Sequence, residues 1–396
     1  EISLEQDELT SYEDSNQINF AAVGDVGVKP DSLITLKKIE SENPEVILFM
    51  GDLDYTTPQE WFKATDFLGL ERIYITIGDH ENEYGNNSES EYLEHYGLEK
   101  NFYSFNYENV HFIGLATDVD HSPNSEQYNF LKEDLITASN DPNIDWTIVW
   151  FHHPMYSSYH PIYLELKNDF QPLFDTYDVD LVLQGDDHAY ERTKPLKFNN
   201  VITDNSFHSY IDPSGQIYAT AGTGGQSHGY PTDNNNEWSV IKNHLVYGFL
   251  NIILKDNNTK LFAEFKTNTG EVLDFFQICL SEKYLTEANI SRFDFSKKDF
   301  SCTNLEGVDL SGMDLREANL ADVNLKEVDL SRADLSGANL VGANLENANL
   351  VGANLSGVDF RGANLENANL KEVDLSGVNF RGANLENANL RGANLV

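Results

Sequence analysis

The chain has 396 residues, 40% of them hydrophobic, with 23 Phe and 19 Tyr, a composition of packed domains rather than of a disordered polymer and a length that suits two or three of them. Its net charge of −39 sets it against nucleic acid and anionic membranes and concentrates cations around it; a salt-rich habitat accounts for that charge equally well. No apolar run reaches the roughly 18 residues of a membrane span.

From Thr286 onward 17 acids face 10 bases, a net −7, so −32 of the −39 lies on the first 285 residues. The chain opens at Glu1 without Met or an apolar signal region, as a processed or trimmed protein does. Two cysteines, Cys279 and Cys302, allow one disulfide or two thiols, and their number does not decide between them.

Residues 1–16 are polar and acidic and read as a lead-in. A strand over 18–23 runs into Gly24-Asp25-Val26-Gly27, and a helix near Asp31–Ser41 carries Leu33, Leu36 and Ile39 on one face. Val46-Ile-Leu-Phe-Met50 is the apolar run of a strand buried on both faces, and it discharges into Gly51-Asp52-Leu53-Asp54-Tyr55. A helix over Trp61–Leu68 precedes a strand over 73–77, which ends in Gly78-Asp79-His80-Glu81. Residues 102–113 form a hairpin with Glu108-Asn109 at its tip, and a helix runs from Ser125 to Leu135. The strand 146–151 leads to His152-His153-Pro154, a helix over Tyr163–Tyr177 follows, and the strand 179–183 leads to Gly185-Asp186-Asp187-His188. Ile217–Ala221 precedes Gly222-Thr223-Gly224-Gly225, a strand-to-loop turn rather than a phosphate cradle, and strands near 246–254, 260–267 and 271–279 close this part. Three strands that each end in Gly-Asp gather three carboxylates at one sheet edge, where they repel unless a cation sits among them. The expected architecture is therefore a layered α/β domain over residues 17–281.

Beyond it the pattern changes. From Ile290 to Leu395 every fifth residue is Ile, Leu or Phe, 22 positions without an insertion, and Ala or Val usually stands two residues earlier. Period five suits neither helix nor strand; it suits a coil that turns a corner every five residues. Gly-Ala-Asn-Leu-Glu-Asn-Ala-Asn-Leu begins at 342, 362 and 382, so four pentapeptides make one coil. The segment 286–396 resembles the pentapeptide-repeat family, which implies a right-handed quadrilateral β-helix, here a rod of roughly 26 Å at ~4.8 Å per coil. The repeat carries no clustered His, Cys or acid pairs and reads as a spacer, a scaffold or a protein-binding face. With no polar cap after the last repeat, either the native chain continues or this end self-associates.

In order, Gly-Asp-Val-Gly, Gly-Asp-Leu-Asp-Tyr, Gly-Asp-His-Glu, Val149-x-x-His152 and Gly185-x-x-His188 resemble the motifs of calcineurin-like metallophosphoesterases and, within them, of purple acid phosphatases. The resemblance covers about residues 17–280 and implies a phosphate-ester hydrolase with two metal ions. Carried over by position, Asp25, Asp52, Tyr55 and His188 hold the first ion, Fe(III), with Asp52 bridging. Asp52, Asp79, His152 and Asp186 surround the second, with the neighbouring Asp187 as an alternative to Asp186. His80 and His160 take the positions of histidines that contact phosphate or protonate the leaving group.

The sequence departs from the family where Asp79 replaces Asn and Asp186 replaces His. The oxygen-rich second site suits Mn, Mg or Ca over Zn, with Fe also a candidate. Loss of turnover is the rival outcome: a phosphatase-fold scaffold acting through its repeats. His153 reads as pointing away from the strand end, with a supporting role at most. An extracellular or periplasmic location follows from the same resemblance.

Overall fold

The structure, a computed structural model, describes residues 17–81, 88–159, 163–198, 200–201, 208–211, 213–226, 236–255, 260–280, 295–297, 300 and 305–394. They fall into two compact units. One comprises Glu1–Thr203 and Ser214–Phe275, the other Asp204–Pro213 and Phe276–Val396.

In chain order the elements are β1 (Ile18–Val23), α1 (Pro30–Ser41), β2 (Val46–Met50), α2 (Pro58–Thr65), β3 (Ile73–Thr76), α3 (Glu89–Tyr96), β4 (Tyr103–Tyr107), β5 (Val110–Gly114), α4 (Glu126–Ser139), β6 (Trp146–Phe151), α5 (Leu164–Thr176), β7 (Leu181–Gln184), β8 (Tyr190–Thr193), β9 (Leu196–Lys197), β10 (Asn200–Val201), β11 (Ser209–Ile211), β12 (Ile217–Ala221), β13 (Ser239–Asn243), β14 (Gly248–Lys255), β15 (Lys260–Thr267) and β16 (Val272–Cys279).

The first unit is built on two mixed sheets. In one, β1, β2 and β3 run parallel, and β14 and β15 extend it antiparallel beyond β1. In the other, β5, β6, β7 and β12 run parallel, with the β4 hairpin at one edge and antiparallel β8 and β13 at the other. The sheets pack on each other, with the ring of Phe20 on β1 set edge-on against Phe112 on β5, centroids 5.3 Å apart. Leu36 and Ile39 of α1, Trp61 of α2 and Tyr92 of α3 cover the outer face of the first sheet. Leu131 and Leu135 of α4, with Leu166, Phe170 and Phe174 of α5, cover the second. The central strands of both sheets are therefore buried on both faces, which is why β2 reads as an unbroken apolar run and β6 as one interrupted only by Thr147. Fully burying such a side chain contributes about 1.5–3 kcal/mol.

The sequence expectations differ in detail. Leu33 is 36% exposed rather than on the packed face of α1; three residues ahead of Leu36, it falls at the edge of the apolar stripe. The helix expected over Trp61–Leu68 starts at Pro58, where the Thr57 side chain accepts from Glu60 N, and ends in a 3-10 turn over Asp66–Leu68. The hairpin tip is as expected, with Tyr107 opposite Val110.

In the second unit, parallel bridges join residues twenty apart, from Asp309↔Asp329 to Asp374↔Asn394, so one coil takes twenty residues, or four pentapeptides. The fifth-residue leucines from Leu305 to Leu370 point inward and are essentially unexposed. Their N–H groups donate to the next coil, as Leu310 N does to Asp329 O at 2.8 Å. The residue two after each such leucine sits at positive φ, as at Gly307, Glu317 and Asn347, turning the corner. Asn side chains stack coil on coil, Asn339 Nδ2 donating to Asn319 Oδ1 at 3.0 Å.

One buried ion pair ties β8 to β16. Arg192 on β8, fully buried, donates to Asp274 at 2.6 Å through Nε and at 3.0 Å through Nη2, and the hydroxyl of Tyr190 donates to the same carboxylate at 2.7 Å. Removing one partner strands the other charge, so Asp274→Ala is expected to cost about 3–5 kcal/mol. All four tryptophans, Trp61, Trp146, Trp150 and Trp238, belong to this unit, so urea unfolding followed by tryptophan fluorescence measures it; a loss under about 1 kcal/mol, the ordinary effect of a point change, is the contrary result.

Candidate metal centre

The parallel strands of both sheets end at the same place. β1 delivers Gly24-Asp25, β2 delivers Gly51 to Tyr55, β3 leads to Gly78-Asp79-His80-Glu81, β6 delivers His152-His153, and β7 leads to Gly185 to His188. Backbone approach between these loops is close. A Cβ on Gly51 would stand 2.5 Å from His152 Nδ1, and one on Gly78 would stand 2.3 Å from Asp52 Oδ1. That crowding, rather than turn chemistry alone, explains the Gly-Asp pattern. Asp25, Asp52 and Asp186 all adopt positive φ, at 56°, 50° and 64°, a conformation that Asp tolerates and that collects at functional sites.

Asp52 is the hub. Its Oδ2 accepts from the Tyr55 hydroxyl at 2.9 Å, its Oδ1 accepts from His80 N at 3.1 Å, and its Oδ1 lies 3.4 Å from His152 Nε2. On one side, the Tyr55 hydroxyl lies 3.4 Å from Asp25 Oδ1 and 3.3 Å from His188 Nε2, and His188 Nε2 lies 3.5 Å from Asp25 Oδ1. On the other, His152 Nε2 lies 3.8 Å from Asp79 Oδ1 and 4.0 Å from Asp186 Oδ1. Seven of the residues expected as ligands, Asp25, Asp52, Tyr55, Asp79, His152, Asp186 and His188, thus converge. His80 stands beside them, one-third exposed, its ring against Tyr55 at 4.1 Å. His160 lies outside the described residues.

The donor set suits cations. Asp25 Oδ2 and His152 Nε2 are buried without a hydrogen-bond partner, and an orphaned buried donor or acceptor is costly unless something else satisfies it. His152 Nδ1 donates to Met50 O at 2.8 Å, which turns Nε2 inward. Among the described residues, three groups of donors lie within 4.8 Å of one another: Asp25, Asp52 and His152; Asp52, Asp79 and His80; and His152, His153 and Asp186. Electrostatics agree. Burial, opposed by His152 and reinforced by the Asp25, Glu81 and Asp79 carboxylates, pushes the Asp52 carboxyl up to about 9. The His152 imidazole, with Nε2 3.8 Å from its Oδ1, pulls Asp79 down to about 2. Burial and the Asp25 and Asp52 carboxylates hold the Tyr55 phenol far above its usual range. A buried carboxylate as reluctant to ionise as Asp52 is one that a metal ion stabilises.

Two features escaped the sequence. Glu81, 1% exposed, accepts from four backbone N–H groups: Asp52 at 3.1 Å, Leu53 at 2.8 Å, Asp54 at 3.4 Å and Gly78 at 2.8 Å. It holds the β2 and β3 loops together, and the fourth residue of Gly-Asp-His-Glu was the signal. The second is the Gly222–Gly225 turn. A Cβ on Gly222 would stand 2.5 Å from Asp25 Oδ2, and Gly224 N donates to Gly24 O at 3.0 Å, so this turn walls the first site.

Glu81→Gln replaces an anion accepting four N–H groups by one carbonyl oxygen. Metal affinity is expected to fall about 10–100-fold, as for other groups that orient ligands. Calorimetric titration with Mn²⁺ measures it, and an unchanged Kd would show that the loops hold without this carboxylate.

Residues 18–190 match the family of calcineurin-like phosphoesterases, and residues 215–275 match the iron/zinc purple acid phosphatase-like protein C family. Pentapeptide repeats, in eight copies, match segments between residues 284 and 396. Purple acid phosphatase 18 of Arabidopsis thaliana is 30% identical over 248 residues, 57% of this chain and 54% of that protein. Phosphoenolpyruvate phosphatase of Allium cepa is 27% identical over 281 residues, 63% of this chain and 57% of that one. This chain therefore spans little more than half of these curated relatives. Among solved structures, the purple acid phosphatase PPD1 of yellow lupin (Lupinus luteus) superposes with a TM-score of 0.56 at 25% identity, over 67% of this chain and 54% of that one. GAP50 of Plasmodium shares the fold, with a TM-score of 0.53 at 21% identity, over 68% of this chain and 90% of that one.

Proposed function

We propose that this chain, which carries a calcineurin-like phosphoesterase domain continued by a purple acid phosphatase-like segment and followed by pentapeptide repeats, hydrolyses phosphate esters at a dinuclear metal centre. The convergence of seven donors from the ends of five parallel strands on Asp52 carries this reading. Asp25, Asp52, Tyr55 and His188 would hold the first ion. The Tyr55 phenolate, a hard anionic donor, favours Fe(III) there. Asp52, Asp79, His152 and Asp186 would hold the second, a set of three carboxylates and one imidazole suited to Mn, Mg or Ca, with Fe or Zn as further candidates. When bound, the two ions lower the pKa of a water and neutralise charge on the transferring phosphoryl group.

The chain's own residues have distinct tasks. Asp52 faces both sites and fixes their separation. His80 stands at the rim with its ring on Tyr55, placed to contact a phosphate oxygen or to hand a proton to the leaving group; His160 carries the same expectation from its position in the motif. Glu81 keeps water out of the backbone beneath Asp52 by occupying its N–H groups. Cys279 is disulfide-bonded, which supports an oxidising, extracellular or periplasmic setting. No described helix is long and apolar enough to cross a membrane. For the repeat domain, the family resemblance favours a right-handed four-sided coil with a scaffolding role.

The contrasting reading is a binding protein whose second site has lost turnover through Asp79 and Asp186. Two ions per chain and hydrolysis of an aryl phosphate favour the enzyme; one ion or none favours the scaffold. Asp52→Ala removes the shared ligand and is expected to abolish both metal binding and hydrolysis, and full activity in that variant would refute the site. Asp79 and Asp186 add up to two negative charges to the second site, which tightens hard cations and reduces Lewis acidity. Asp79→Asn with Asp186→His is therefore expected to raise kcat on the order of tenfold, or roughly 1.4 kcal/mol of barrier. A double variant that binds two ions and is no faster shows that these aspartates do not limit the chemistry.

A further inference from the structure

His153 was expected to face away from the site. Strand alternation, however, stops with β6 at Phe151, and His153 lies in the bend beyond it. One of its ring nitrogens comes within 4.8 Å of donor atoms of His152 and Asp186. The side chain is almost fully buried, at 7% exposure. Its Nδ1 lies 3.3 Å from Asp118 Oδ1, its ring stacks on Tyr163 at 4.2 Å and 21°, and its backbone N donates to Thr117 Oγ1 at 3.3 Å. The Tyr163 hydroxyl in turn donates to Asp186 Oδ2 at 3.5 Å. An imidazole buried for packing alone needs one hydrogen-bond partner. This one is clamped by a carboxylate and an aromatic face beside the donors of the second ion.

We propose that His153, positioned by Asp118, is a further nitrogen ligand of the second metal ion. It restores the imidazole that Asp186 removes from the purple acid phosphatase pattern, by approaching from β6 instead of β7. The pairing of a ring nitrogen with Asp118 is the carboxylate–histidine arrangement that orients metal-binding imidazoles. The proposal rests on the dinuclear reading above and changes its consequence. With two imidazoles among its ligands, the second site holds borderline ions such as Zn²⁺ and Fe²⁺ as well as Mn²⁺, because imidazole suits those ions while carboxylates alone suit Mg²⁺ and Ca²⁺.

The test titrates the full-length chain with Zn²⁺ and, separately, Mn²⁺ by competition with a metal indicator, in the wild type, His153→Gln and Asp118→Asn. The expected result is two ions in the wild type, with Zn²⁺ at the second site weakened about 10–100-fold in His153→Gln. Mn²⁺ should weaken less, and Asp118→Asn should shift Zn²⁺ in the same direction by a smaller factor. Nitrogen ENDOR on the wild type, with Mn²⁺ at the second site and a diamagnetic ion at the first, gives a readout independent of any variant's folding: two imidazole couplings are expected. A single coupling, or a wild type with two ions whose second-site Zn²⁺ affinity His153→Gln leaves within twofold, overturns the role of His153 and leaves the dinuclear reading intact. A wild type that binds fewer than two ions overturns that reading and this ligand with it.

Discussion

Everything in the first unit answers to the repulsion among four carboxylates brought to one place. Asp25, Asp52, Asp79 and Asp186 reach the C-terminal edge of two packed sheets from four different strands. Two unit charges at about 4 Å interact by roughly 4 kcal/mol at an effective dielectric constant of 20, so several such pairs would rival the stability of a domain. The fold holds them together only by burying β2 and β6 on both faces and by enlisting counter-charges. On the reading proposed above a pair of cations supplies these, with the imidazoles of His152 and His188 as neutral ligands beside the carboxylates.

The same constraint explains the backbone. Carboxylates can be gathered this tightly only if the loops touch, so side chains are absent at Gly51, Gly78 and Gly222, where a Cβ would strike His152, Asp52 or Asp25. Asp25, Asp52 and Asp186 accept positive φ, and Glu81 fastens two of the loops through their N–H groups. Preorganisation of this kind costs local strain and leaves the oxygens already aimed.

Much of this was legible in the chain because burial on both faces writes itself as apolar runs. Val46–Met50 is such a run and Trp146–Phe151 departs from it only at Thr147, and the turns after them carry Asp52 and His152. The period of five in the repeats was equally plain, since every inward Leu returns after one side of the coil. What stayed hidden has a common physical origin. β8 has Glu191 and Arg192 at its centre, fully or nearly fully buried, and a strand whose charged groups are satisfied by distant partners, Asp274 pairing Arg192 and the hydroxyls of Ser158 and Ser239 donating to Glu191, has no local apolar signature. Glu81 and His153 were hidden likewise, because their roles depend on which loops fold beside them, and strand alternation is no guide once the strand has ended.

The central claim is that these loops form a two-ion centre with Asp52 between the ions. Crystals of the full chain soaked in Mn²⁺ and measured at the manganese absorption edge test it most directly. The account predicts two anomalous peaks roughly 3.5–4 Å apart, one toward Asp25 and His188 and the other toward His152 and Asp186, with the Asp52 carboxylate touching both. A single peak, or two peaks that do not share Asp52, would contradict it.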